Sequence, residues 1–184
     1  MTSYVDIIQI SSLFVKAIMM LFFMRFLIQL SNAYYFSPLV KAVVSLTNPL
    51  CNIKIFSNIK IKSVFIGPLV IAYLIDLLYF FIVMPLFTGT LSTYIIYYSI
   101  LQTIKTFGLL IILLLFAQAL TSWLPQTREL SATLGQITYP LVAPIQKIIP
   151  PIGMIDISLM IVLLGIFAIN RLLGSFFGAI WYFL

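Results

Sequence analysis

Tyr139-Pro140-Leu141-Val142-Ala143-Pro144-Ile145-Gln146-Lys147-Ile148-Ile149-Pro150-Pro151-Ile152-Gly153-Met154-Ile155-Asp156-Ile157-Ser158 interrupts an otherwise apolar sequence with four prolines, one glycine and a lone acid. Proline fixes φ, removes a backbone donor and pushes its predecessor toward extended geometry, so the segment is predicted to follow a stiff, bent path rather than a regular spanning helix. Working outward, apolar runs occupy residues 5–30, 65–87, 93–123 and 157–184. Each is near or above the roughly 20 residues needed to cross a bilayer core. The predicted fold class is an all-α membrane protein with about four transmembrane helices. The proline segment would lie at the membrane surface between the third and fourth.

Composition sets the same class. At 63% hydrophobic and 8% charged, the chain has too little polar surface to cover a soluble globule. Residues 1–184 therefore read as a single integral membrane domain. The net charge of +6 comes from isolated basic residues that gather in connecting loops, a topology signal rather than a phosphate-tracking surface, so direct nucleic-acid binding is not expected. One cysteine, Cys51, excludes an internal disulfide. With no histidine and four acids, no protein-ligated metal or haem, and no cofactor, is expected. The serines have no histidine to act as base, and neither paired carboxylates nor a glycine-rich phosphate loop occurs, so the chain is not read as an enzyme. The N-terminus lacks the basic region of a secretory signal, and the first helix is expected to be retained.

Two long connections, residues 31–64 and 124–156, align at an offset of 91. Thr47-Asn48-Pro49-Leu50 falls on Thr138-Tyr139-Pro140-Leu141, and the stripe Leu39, Val43, Leu46 falls on Leu130, Leu134, Ile137. That spacing marks one face of a short amphipathic helix. Ser37-Pro38 supplies a cap and a first-turn proline for the first copy. The chain is thus expected to hold two repeats, about residues 5–87 and 93–184. Each has an even number of spans, so the two run parallel, related by an axis near the membrane normal. Lys41, Lys54, Lys60, Lys62, Arg128 and Lys147 all lie in the long connections. The positive-inside rule puts those loops in the cytoplasm and both termini on the outer side. Tyr34, Tyr35, Trp123 and Tyr139 would then line one interface, and Tyr4, Tyr94, Tyr97, Tyr98, Trp181 and Tyr182 the other. Cys51, in the first loop, offers a labelling test of that orientation.

Thr121-Ser122-Trp123-Leu124-Pro125 and the pattern Pro140, Pro144, Lys147, Pro150, Pro151, Gly153, Asp156, Ser158 resemble the YggT family of small bacterial and plastid membrane proteins. The resemblance covers nearly the whole chain, since Tyr35-Phe36-Ser37-Pro38 and Thr47-Asn48-Pro49-Leu50 match the family's other copy. It departs at Gln146-Lys147, where one of two adjacent basic residues is kept, and at Leu159, where the family tends to have proline. The first copy has Ile53, Ile55, Ile59 and Phe65 opposite Pro144, Gln146, Pro150 and Asp156, although Pro68 is kept opposite Leu159. The resemblance implies a bacterial inner-membrane location. It also implies links to osmotic-stress tolerance and ion homeostasis, to cell division and nucleoid distribution, and in plastids to assembly of electron-transfer complexes.

Candidate residues fall into three groups. The proline segment, with Asp156 either capping the fourth span with help from Ser158 or meeting a partner, is the expected lipid or protein contact. Lys147 and the basic first loop are expected to touch anionic headgroups. Asp76 lies about 16 Å deep and Lys16 and Arg171 each about 21 Å from the cytoplasmic side, so Asp76 is expected to pair with Arg171 or Lys16 as glue or as a transport element. Arg25 is close enough to the interface to snorkel. Asn170, Gly174 and Gly178 form a helix-packing stripe, either internal or between protomers, which leaves a homo-oligomer open. Two functions are carried: a non-enzymatic platform or assembly factor contacting lipids and other membrane proteins, and a small channel, transporter or transport modulator built on Asp76.

Overall fold

A computed structural model describes residues 2–61, 64–88, 94–149 and 157–184, with side chains described for 7–60, 64–86, 94–149 and 157–184. Helix α1 (Thr2–Ser31) leads to α2 (Pro38–Cys51), α3 (Lys54–Ser57) and a two-residue antiparallel pair, β1 (Lys60–Ile61) with β2 (Val64–Phe65). Then follow α4 (Gly67–Thr88), α5 (Tyr94–Trp123), a 3-10 turn at Pro125–Thr127, α6 (Arg128–Gln146), α7 (Ile157–Phe177) and α8 (Ala179–Phe183). Among the described residues, four helices are long and apolar enough to cross a membrane: Ile7–Ser31, Gly67–Leu86, Tyr94–Trp123 and Ile157–Phe177. The protein is an all-α membrane protein with four candidate spans, relieved among the described residues by the small β pair.

The core gathers where α2 and α6 meet the spans. Met19, Phe22, Phe23 and Leu27 of α1 are buried in one cluster with Val40, Val43 and Val44 of α2, Ile71 and Ala72 of α4, Leu110 and Leu114 of α5, and Leu134 and Ile137 of α6. A second cluster joins Ile111 and Leu115 of α5 to Val142 of α6 and Leu159 of α7. Between helices in lipid, close packing and hydrogen bonds replace the hydrophobic effect as the force of association. The buried face of α2 is rotated from the expected stripe. Val40, Val43, Val44, Thr47 and Cys51 point inward, while Leu46 is 65% exposed. Thr47 decides the rotation: its hydroxyl donates to the Val43 carbonyl at 2.7 Å, so a threonine can be buried at that position without an orphaned donor. Thr138, 91 residues on, does the same to the Leu134 carbonyl at 2.9 Å.

Two expectations are corrected. Pro140 and Pro144 do not break the chain out of helix; both lie inside α6, as Pro49 lies inside α2 and Pro85 inside α4. An interior proline costs one hydrogen bond, and neighbouring groups in a packed membrane protein can make up the loss. The fourth span also stops short of the chain end. Gly178 has φ +61° and ψ −141°, a conformation that essentially only glycine adopts, and it turns the chain between α7 and α8. Gly178→Ala should therefore cost roughly 1–3 kcal/mol. With Trp123 replaced by Phe, the fluorescence of Trp181 should report the loosening of α8.

Candidate functional site

Asp76, at the middle of α4, is fully buried. Gln102 Nε2 on α5 donates to its Oδ1 at 2.6 Å, and Thr103 Oγ1 donates to its Oδ2 at 3.4 Å. The carboxylate thus accepts from an amide and a hydroxyl on one neighbouring helix, not from the expected Arg171 or Lys16. Arg171 is exposed on α7. Lys16 lies within electrostatic reach of Asp76, but its ammonium donates to the backbone oxygen of Leu184. Chemically the arrangement is an interhelical clamp between α4 and α5, with a cation nearby.

One turn further along α5, Lys105 Nζ donates to the Trp181 carbonyl at 2.5 Å and lies 5.9 Å from the centroid of its ring. Trp181, expected in the interfacial belt, is 2% exposed, and its indole N–H donates to Asn170 Oδ1 at 2.9 Å. Two residues of the stripe, Asn170 and Gly174, meet α8 within the chain, while Asn170 and Gly178 are also exposed. Asn170 receives Trp181, Gly174 lies so close to Tyr182 that an added Cβ would come within 2.8 Å of its ring carbon, and Gly178 makes the turn. Gln102 and Thr103 escaped the sequence reading. The signal was present: Gln102-Thr103-Ile104-Lys105-Thr106 is dense in polar groups for the middle of an apolar run.

At the other end of the bundle, hydrogen bonds fasten α6 to its surroundings. The Tyr34 amide donates to Gln136 Oε1 at 2.9 Å, Thr133 Oγ1 to Ser37 Oγ at 3.0 Å, and Thr138 Oγ1 to Gln118 Oε1 at 2.5 Å. Ser37 precedes α2 as expected, but its hydroxyl makes no cap bond and serves α6 instead. Pro140 is half-buried, Pro144 and Lys147 are exposed, and Ser158 Oγ donates to the Ile149 carbonyl at 2.8 Å, tying the start of α7 to the end of α6. Pro150, Pro151, Gly153 and Asp156 lie outside the described residues. Arg25, expected to snorkel, keeps Nε and one Nη buried without a hydrogen-bond partner among the described residues.

Cys51 is 3% exposed, and burial pushes its thiol above the ordinary value despite the opposing field of Arg25. A raised thiol pKa means less thiolate, the reactive form, at any given pH. Cys51 should accordingly react slowly with a maleimide from either side of the membrane, so it cannot report orientation. A cysteine at Ile148, 77% exposed, in a Cys51→Ser background should do so: an impermeant reagent should leave it unlabelled in cells with an intact inner membrane and label it after permeabilisation. Ready labelling in intact cells would reverse the orientation.

The fold and these buried polar contacts define a multi-pass α-helical membrane protein whose helices are joined by side-chain hydrogen bonds as well as by packing. The CCB3/YggT family model matches residues 97–177 of the chain. It is 29% identical over 182 residues to a Vibrio alginolyticus protein named for the proC 3′ region, covering 94% of this chain and 95% of the relative. It is 26% identical over 161 residues to a Haemophilus influenzae protein, covering 86% of each. YggT of Escherichia coli K12 is 29% identical over 157 residues, covering 82% of this chain and 80% of the relative. No solved structure matches the chain.

Proposed function

We propose that the protein is a non-enzymatic platform of the bacterial inner membrane that positions or assembles other membrane components. The observation that carries this reading is the fastening of α6. Three side-chain hydrogen bonds hold it to α5 and to the chain before α2, while Tyr34, Tyr35, Phe36, Trp123, Tyr139 and Ile148 stay exposed around it. A helix held rigidly while presenting aromatic and aliphatic side chains suits docking, because little conformational entropy is left to lose on binding. Lys41, Lys54, Lys60, Arg128 and Lys147 flank this end and suit anionic headgroups on the cytoplasmic side. The role in osmotic-stress tolerance or envelope organisation belongs to the same proposal. The transport reading rests on Asp76, and the two α5 donors that occupy its oxygens favour a packing role for it.

A photocrosslinking amino acid at Ile148 in living cells tests the platform. The expected result is an adduct of one discrete mass that disappears when Thr133→Val and Gln136→Leu release α6, in a strain that also grows poorly under osmotic upshift without the protein. Absence of any protein adduct, together with ion flux in proteoliposomes that Asp76→Asn abolishes, would replace the platform with transport.

A further inference from the structure

The end of the bundle away from α2 and α6 carries a feature that docking at α6 does not use. A groove of about 430 Å³ runs between α5 and α7, bounded by Ile104, Gly108, Ile112, Ile166 and Leu173, with Lys105, Asn170 and Trp181 also on its wall. A second cavity, of about 200 Å³, is lined by Lys16, Lys105, Thr106, Leu109 and Tyr182. The two share Lys105 and Leu109. Thr106 is 1% exposed, and its hydroxyl has no hydrogen-bond partner among the described residues although it lines the smaller cavity. A buried hydroxyl left unpaired costs free energy that a ligand acceptor would recover.

The geometry points to a phospholipid site: the phosphate sits at Lys105 and Thr106, and one acyl chain lies in the groove between α5 and α7. Lys105 gives one proton to the neutral Trp181 carbonyl, and an ammonium has three to give, so it retains both charge and donors. Lys16, whose ammonium meets Leu184 and lies in the field of Asp76, is the lesser cation of the pair. From Ile104 to Ile112 the groove follows α5 for about 12 Å, parallel to the direction an acyl chain takes into the bilayer. Its polar groups, Lys105, Asn170 and Trp181, lie toward one end, and Ile112 and Ile166 lie toward the other, which is the polarity of a lipid and not that of a second spanning helix.

Native mass spectrometry of the purified full chain in detergent, titrated with phosphatidylglycerol, diacylglycerol or inorganic phosphate, tests the assignment. Phosphatidylglycerol should be retained, and diacylglycerol and inorganic phosphate should not displace it. Lys105→Gln and Thr106→Val should each lower retention about fivefold, the weight of one basic contact or one hydrogen bond. Gly108→Leu should lower it as much while keeping the fold, because a Cβ at Gly108 meets no atom within 4 Å and the side chain enters the groove. Undiminished retention in Gly108→Leu, full displacement by inorganic phosphate, equal retention of diacylglycerol, or a lipid-free dimer in place of the lipid adduct would each overturn the proposal.

Discussion

Gln102→Leu should destabilise the folded protein by about 3 kcal/mol, whereas Asp76→Asn should cost no more than about 1 kcal/mol. The asymmetry follows from which partner is left behind. Removing Gln102 strips the 2.6 Å donor from a fully buried carboxylate and leaves it only the 3.4 Å bond from Thr103. A buried acceptor without its donor bears the full desolvation cost, larger still when the group can carry charge. Asp76→Asn keeps an oxygen for Gln102 to bond and removes the charge. In Asp76→Leu/Gln102→Leu both partners disappear, and the double variant should be more stable than Gln102→Leu alone, giving a coupling energy of opposite sign to the single loss. Reversible unfolding in bicelles would measure all three. Equal destabilisation by Gln102→Leu and Asp76→Asn would show that Asp76 does not depend on the amide.

Gly67→Val should cost about 3 kcal/mol, the upper part of the range for forcing extra atoms into a packed site. Gly67 opens α4 directly after the β1–β2 pair, and a Cβ there would lie 2.5 Å from the Phe56 carbonyl oxygen and 2.8 Å from the Phe65 ring. The carbonyl belongs to the backbone of α3 and cannot swing aside as a side-chain tip could. The damage should be local: faster proteolysis within residues 53–66, with α5 and α6 still protected, read by limited digestion and mass spectrometry. Gly108→Leu is the matched control, since it meets open space.

Much of the architecture was legible because the bilayer imposes a length on every spanning helix. The runs at 5–30, 65–87 and 93–123 became α1, α4 and α5 with boundaries shifted by a few residues. Proline was the misleading signal. In water an interior proline is a strong reason to end a helix, and by that logic Pro140 and Pro144 stood outside α6; the surrounding helices of a packed membrane protein tolerate them. Gly178 carried a second role that spacing did not reveal: its positive φ lets it turn the chain between α7 and α8.

The partners of Asp76 show where local reading ends. That an acid sat deep in an apolar run was visible, and charge complementarity suggested Arg171 or Lys16. Gln102 and Thr103 won because the rotation of α5 against α4 brings that face to the carboxylate, and a rotation about a helix axis leaves no trace in hydropathy when all four spans are apolar on most sides. The face of α2 turned for the same reason, with Thr47 inward and Leu46 outward. Sequence by itself determined the membrane class, the number of spans and the stretches that lie between them, since those follow from hydrophobic length. Only the tertiary structure decided which polar groups meet, which prolines stay helical and where Trp181 is buried, since those depend on how helices rotate and pack against one another.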